Sequence, residues 1–452
     1  MELKNFKATN VHGYLNYNIE FHSRLTFLIG INGTGKTSVL KLILGLISPS
    51  FNYLNSIEFD SAELICKDSM GSDIFIKATK NTGNNNLDLY LKKADAEYKG
   101  MLEKTSIALI NNEIHNEDTS DKLRGLIDRF DQQDLVKEIK SLSTPLFLGL
   151  DRRVYEGQQI DKMKQGFLLR RRYINFPQND PLNIGLMDMQ EVIYDYMRLI
   201  ASNQPKINEE FKNKILLQSF EFLENQAFNS WKDAKELDDK RKKASDAFNN
   251  LKIVGFSDHV NKFFDQLSIT LNQFDNVQKN RKKNAIEPKD IEIIQKWFNN
   301  QPQLKRIDEL IEYNQAYQNE IQKLYLPIEQ TKDIINKFFN ESKKELQIDA
   351  QGELQIKFKN GKIAKLYELS SGEKQIITML GHLIFFEERF KKDTGIFIID
   401  EPEVSLHLAW QEIFVNSILE ASPKTQFILA THSPAILGDF DEDLCEDLAK
   451  LN

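Results

Sequence analysis

Gly30-Ile31-Asn32-Gly33-Thr34-Gly35-Lys36-Thr37 spells G-x-x-x-x-G-K-S/T, and it constrains the fold more than any other stretch of the chain. Leu25-Thr26-Phe27-Leu28-Ile29 before it is short and apolar, as a buried strand is. Ser38-Val39-Leu40-Lys41-Leu42-Ile43-Leu44 after it reads as the start of a helix. Glycines in such a loop let backbone N–H groups turn inward around phosphate oxygens, and the helix N-terminus adds its positive dipole end. The string predicts a phosphate site formed by Asn32, Gly33, Thr34, Gly35, Lys36, Thr37 and Ser38. Within it Lys36 reaches the β/γ-phosphates and Thr37 holds Mg²⁺. The plainer alternative is a glycine turn between strand and helix.

Ile396-Phe397-Ile398-Ile399-Asp400-Glu401 is an apolar strand that ends in two carboxylates. An Asp at a strand end beside a phosphate loop positions Mg²⁺, which marks Asp400 as a metal ligand. Glu401 has no structural reason to sit there, and it can take a proton from an attacking water. Three further segments surround this strand. Leu369-Ser370-Ser371-Gly372-Glu373-Lys374-Gln375 opens a helix with small residues and bare N–H groups, a second anion site. Ser405-Leu406-His407 follows the acidic pair closely, and Phe427-Ile428-Leu429-Ala430-Thr431-His432-Ser433-Pro434 is an apolar strand ending in a histidine. Taken singly, the serines read as a helix cap and the histidine as an ordinary surface or packed one.

Together and in this order, the segments resemble the ABC-type ATPase head. Leu369 to Glu373 is similar to its signature motif, Ser405 to His407 to its D-loop, and His432 to its switch histidine. The spelling L-S-x-G-E, the Asp400-Glu401-Pro402-Glu403 run and Ala430 to Pro434 look like the SMC/OLD branch, not the transporter branch. The resemblance covers roughly 1–155 and 340–440. It implies an α/β fold: a P-loop ABC-type head, with a mixed sheet and flanking helices, interrupted by a mainly helical insertion. It implies ATP and Mg²⁺ as ligands, Glu401 and His432 as catalytic residues, and a signature (Ser370, Ser371, Gly372 and Glu373) that covers the nucleotide of a partner head. One phosphate loop and one signature per chain then call for a homodimer or a higher assembly of dimers. Two departures stand out. Ser371 occupies a position where many signatures have glycine, and the Q-loop glutamine has only Gln158 and Gln159 as candidates.

Composition narrows the class. The 452 residues suffice for two or more domains, and 41% hydrophobic content supports sizeable cores. Cys66 and Cys445 provide neither a disulfide framework nor a four-thiolate zinc site. Met1 to Asn5 starts strand-like, without a basic-then-apolar export signal, and no apolar run is long enough to span a membrane. The expectation is a cytoplasmic protein. A net charge of −8 argues against a globally basic, DNA-coating protein while leaving room for a local basic groove.

Three parts follow along the chain: an N-terminal lobe over 1–155, a helical insertion or short arm over 156–340, and a C-terminal lobe over 341–452. Ile57-Glu58-Phe59 and Ile74-Phe75-Ile76-Lys77 alternate as half-buried strands do. In the insertion, Glu191 to Met197 and Ile215 to Phe220 read as helical, without the sustained heptads of a long coiled coil. Leu354 to Phe358 and Asn360-Gly361 read as a strand and a hairpin turn. The insertion carries Arg170-Arg171-Arg172, Lys240-Arg241-Lys242-Lys243 and Arg281-Lys282-Lys283. Each is either a nucleic-acid contact or a solvated helix face balanced by nearby acids, the latter favoured for the two lysine-rich runs. Asp151-Arg152-Arg153 ends a strand-like run and reads as part of the ATP site.

Stand-alone heads with this spelling are similar to the ATPase subunits of bacterial anti-phage systems such as Septu and PARIS. That resemblance implies a separate effector protein, a nuclease in the leading case. The residues beyond His432 leave no room for the Toprim nuclease domain of OLD-like proteins. An SMC-like DNA-repair ATPase is the alternative, and a transporter ATPase subunit is disfavoured by the signature spelling and the insertion.

Overall fold

Leu15, Tyr17 and Ile19 are buried and Asn16, Asn18 and Glu20 exposed, so strand β2 (Leu15–Glu20) turns one face to a core and one to solvent. The computed structural model of the chain describes residues 1–47, 52–68, 70–80, 86–102, 133–142, 145–149, 154–156, 180–220, 234–249, 256–280, 287–389 and 395–451. Strand β1 (Glu2–Val11) pairs with β2 on one side and with β4 (Ser61–Lys67) on the other. Strands β5 (Asp73–Lys80), β6 (Leu87–Lys93) and β7 (Ala96–Leu102) continue the sheet, all antiparallel, in the order β2-β1-β4-β5-β6-β7. The period-two burial of these strands matches one-sided antiparallel sheets. The alternation at Ile74 to Lys77 falls within β5. The alternation at Ile57 to Phe59 does not form a strand: Ile57 and Phe59 are buried, but the Glu58 carbonyl accepts from His12 N–H ahead of β4.

The second sheet contains the motif strands. Its order is β15-β3-β14-β13-β8-β9, with β3 (Leu25–Ile29), β8 (Leu146–Leu148), β9 (Val154–Glu156), β13 (Ile396–Asp400), β14 (Gln426–Ala430) and β15 (Cys445–Asp447). All neighbours are parallel except β8 and β9. Every residue of β13 and β14 is buried, as continuous apolar strands of a parallel sheet covered on both faces should be. Gln426, fully buried, joins the two sheets: its side chain accepts from Leu3 N–H at 2.7 Å and donates to the carbonyls of Leu3 and His22. A third, three-stranded sheet consists of β10 (Lys344–Ile348), β11 (Leu354–Phe358) and β12 (Ile363–Ala364). The Asn360-Gly361 turn connects the last two, with Gly361 at φ +81°.

The helices of the described residues are α1 (Lys36–Ile47), α2 (Asn52–Ser56), α3 (Asp134–Ser141), α4 (Pro181–Ser219), α5 (Ala234–Asn249), α6 (Phe256–Asn280), α7 (Pro288–Phe339), α8 (Ser371–Arg389), α9 (Leu408–Ala421) and α10 (Pro434–Leu437). The chain divides into two compact units, one comprising Met1–Asp195 and Pro327–Asn452, the other Tyr196–Leu326. The second lies inside the 156–340 stretch of altered composition. It has a core of its own, with Leu237, Phe264, Leu271, Trp297 and Leu304 buried together and Phe274 stacked on Trp297 at 5.8 Å. The expectation of helix holds for Glu191 to Met197 and for Ile215 to Ser219, all within α4. Among the described residues no helix is long and apolar enough to cross a membrane.

Candidate functional site

Strand order assembles the site. β3, β14 and β13 are adjacent and parallel, with Ala430 paired to Leu28 on one side and to Asp400 on the other. Their C-terminal ends therefore carry Gly30, Thr431 and Glu401 side by side, at the edge where parallel α/β sheets bind ligands.

The loop after β3 takes the shape its glycines permit. Gly33 and Gly35 have φ of +87° and +80°, values that side chains disfavour. At Gly35 a Cβ would also meet the Tyr17 hydroxyl at 2.1 Å. That hydroxyl donates to the Thr34 carbonyl at 2.7 Å, and burial, with the nearby Tyr14, pushes its pKa up to about 12, so it remains a neutral donor. The Thr34 hydroxyl donates to the Ile31 carbonyl at 2.9 Å. Asn32 and Gly33 are exposed at the loop tip. Lys36 is buried, and its ammonium donates to the carbonyls of Gly30 at 2.8 Å and Ile31 at 3.4 Å. Burial lowers its pKa, while Glu401, Asp400 and Glu403 favour its charged form. The ammonium also lies 3.4 Å from His432 Nδ1; with Lys36 as donor the imidazole carries its proton on Nε2. Ser38, the third residue of α1, shares a 2.8 Å hydrogen bond with His12 Nε2.

Asp400 is buried at the end of β13. Among the described residues neither of its carboxylate oxygens has a well-aligned hydrogen-bond partner. Burial pushes its carboxyl up to about 6; the nearby Thr37 hydroxyl favours the charged form without aligning as a bond to it. Two buried carboxylate oxygens without an aligned partner, beside a threonine hydroxyl at a helix start, are hard oxygen donors, so Thr37 and Asp400 fit Mg²⁺. Glu401 has φ +50° and donates its N–H to the Ala430 carbonyl at 2.8 Å. A non-glycine residue held there is strained, a feature that concentrates at functional positions.

The signature segment begins α8. Ser370 and Ser371 are exposed, and Gly372 and Glu373 are buried. Glu373 Oε2 accepts from Ser370 N–H at 2.9 Å, and its Oε1 accepts from Lys344 on β10 at 2.7 Å. Both carboxylate oxygens are thus engaged within the chain, as the reciprocal partner of a helix cap and as half of a partly buried ion pair. A Cβ on Gly372 would meet the Ser405 carbonyl at 2.6 Å, so this glycine is required by close approach of the 401–407 loop. Among the described residues no hydrogen bond or ion pair joins Ser370–Glu373 to the phosphate loop.

Tyr17, His12 and Gln411 carry no local motif, because their contacts join segments far apart in the chain, and Glu403 reads in the sequence only as part of the Asp400-Glu401-Pro402-Glu403 run. The Lys240–Lys243 run lies on α5, and among the described residues three of its charges meet acids. Lys240 pairs with Asp308, Arg241 with Asp265 at 2.7 Å, and Lys242 with Asp238 at 3.5 Å. That is the arrangement of a face balanced by nearby acids. Asp151 to Arg153, Gln158, Gln159, Arg170 to Arg172 and Arg281 to Lys283 lie outside the described residues.

A family model described as AAA ATPase domain matches residues 1–437. Among curated proteins, the chain is 35% identical over 86 residues to the retron Vc95 probable ATPase of Vibrio cholerae serotype O1 biovar El Tor, covering 18% of this chain and 17% of that protein. It is 41% identical over 88 residues to the Septu protein PtuA of Bacillus thuringiensis, covering 18% and 22%. The matched stretches thus span about a fifth of these relatives. Among solved structures, the Smc head domain of Pyrococcus furiosus, with an extended coiled coil and bound to the C-terminal domain of ScpA, aligns with 96% of this chain and 91% of that one at a TM-score of 0.35 and 14% identity.

Proposed function

Because the chain belongs to the AAA ATPase domain family, we propose that it is an ATP-binding and ATP-hydrolysing switch subunit that pairs with a second copy through nucleotide and controls a separate effector, a nuclease in the leading case. The observation that carries the ATPase reading is the convergence of Lys36, Asp400, Glu401 and His432 at three adjacent strand ends. A defence role is supported by the resemblance of the motif spelling to anti-phage ATPases. It is supported further by relatives named as retron ATPases and a Septu protein.

Thr37 and Asp400 would hold Mg²⁺, which when bound neutralises phosphate charge. The chain's own groups do the rest. N–H groups of Gly33 to Ser38 and the N-terminus of α1 bind phosphate oxygens. Lys36 exchanges its backbone carbonyls for the β/γ-phosphates. Glu401 accepts a proton from the attacking water, and His432, already beside Lys36, senses the γ-phosphate. Ser370, Ser371 and Gly372, exposed or loop-packed at the start of α8, close over the nucleotide of the second copy, while Glu373 holds their backbone in shape. The test is phosphate release by the purified protein with Mg²⁺ and ATP, followed by affinity capture from a native host. Release lost in Glu401→Gln and a stoichiometric co-purifying effector are expected. No release and no nucleotide binding would overturn the reading.

A further inference from the structure

We propose that Glu403 is a positioning residue that clamps the His432 switch loop to the acidic strand end, an inference resting on the role given above to His432. The Glu403 carboxylate uses both oxygens across a gap of nearly thirty residues. Oε1 accepts the His432 backbone N–H at 2.7 Å and Oε2 accepts the Thr431 hydroxyl at 2.9 Å. His432 stands two residues beyond the end of β14 at Ala430, so its N–H lies outside the strand ladder, and the carboxylate takes it. Hydrogen bonds to a charged acceptor are roughly twice as strong as neutral ones.

The clamp belongs to a closed ring. Thr431 Oγ1 accepts from Ser433 N–H at 3.0 Å, and Ser433 Oγ donates to Gln411 Oε1 at 2.6 Å. Gln411 Nε2 donates to the Leu406 carbonyl at 2.9 Å, and Leu406 N–H returns to the Glu403 carbonyl at 3.0 Å. The ring closes over a loop with left-handed backbone at Glu401 and Ser405, φ +50° and +71°. Strained residues persist only where surrounding contacts over-determine them, and this ring supplies such contacts. On the other side the loop abuts Gly372, and the Gln375 side chain donates to the Pro402 carbonyl at 3.4 Å. Glu403 therefore ties the residue next to Lys36 to the same loop that the signature helix packs against. A glutamine at this position puts an NH₂ where one of two donors needs an acceptor. An alanine removes both bonds.

The experiment has two arms. In nucleotide-free protein, hydrogen exchange of peptides covering 431–433 is compared between wild type, Glu403→Gln and Glu403→Ala, with the 36–47 helix as internal reference. Exchange at 431–433 should rise about tenfold in Glu403→Ala and less in Glu403→Gln, with the reference unchanged. In the second arm, kcat for ATP should fall about tenfold in Glu403→Ala while ATP affinity changes less than about threefold. In a His432→Ala background the same substitution should cost less than about twofold, because the two residues act as one unit. Unchanged exchange at 431–433, or a full tenfold loss that persists without His432, would overturn the proposal. If wild type releases no phosphate, the ATPase reading fails and exchange alone decides the clamp. If Glu403→Ala does not fold, Glu403→Gln decides both arms.

Discussion

The Lys36 ammonium donates to the Gly30 carbonyl at 2.8 Å, so the loop's cation is held by the loop's own backbone. That bond keeps a buried charge satisfied without ligand. Lys36→Ala is therefore expected to fold and to weaken ATP binding at least tenfold, about 1.4 kcal/mol. Calorimetry measures this directly, and unchanged affinity would remove the phosphate loop from the site.

Asp400 contributes in the opposite sense to the stability of the ligand-free protein. Its carboxyl is raised from 3.8 to about 6 in the fold, chiefly by burial. A raised pKa means the folded state favours the protonated form. The contribution is fully present below pH 3.8 and is lost as pH rises through about 6. Asp400→Asn in EDTA should therefore melt higher than wild type at pH 7.5, by at most about 3 kcal/mol of stability, with the gain vanishing near pH 4. The same variant should lose the further stabilisation that Mg²⁺ and ATP give wild type. A lower melting temperature at pH 7.5 would contradict an unpaired buried carboxylate.

Glu401→Gln keeps the shape of the side chain and removes the base. ATP affinity should stay within about threefold while phosphate release falls at least a hundredfold, a typical loss for a general base. Trapped ATP should hold two copies together. Light scattering with Mg²⁺ and ATP should then report a dimer or a multiple of dimers; a monomer under all conditions would remove the trans role of the signature.

Tyr17→Phe leaves the packing under the phosphate loop and removes the hydrogen bond to the Thr34 carbonyl. The expected effect is a loss of about 1 kcal/mol in stability and a several-fold rise in KM for ATP. Gly35→Ala should be harsher, because it adds a Cβ 2.1 Å from the Tyr17 hydroxyl and forces alanine into φ +80°. Thermal melts and initial rates distinguish the two. Equal behaviour of Tyr17→Phe and wild type would mean the loop holds its shape unaided.

Much of this site was legible in the sequence because its signals are local. Glycines spaced before Lys36 and Thr37, and acids at the end of an apolar strand, state their chemistry within a few residues. What stayed hidden depends on distant parts of the chain meeting. Tyr17 reads as one more apolar position of an alternating strand, and only the fold brings its hydroxyl to residue 34. Glu403 and Gln411 gain meaning from a loop about twenty residues or more further on. Ile57 to Phe59 alternates like a strand, yet its backbone bonds outside the ladder, a choice that periodicity does not encode.

The phosphate-loop strand β3 (Leu25–Ile29) lies between β14 (Gln426–Ala430) and β15 (Cys445–Asp447), both about 400 residues further along the chain. During synthesis β3 therefore leaves the ribosome long before either neighbour exists. At about 5–20 residues per second the wait is on the order of 20–80 s. Throughout it, an apolar strand and its glycine loop have no sheet to join. The candidate site is in this sense late to assemble, because a nascent chain cannot seat its phosphate loop in a sheet until β14 has been made.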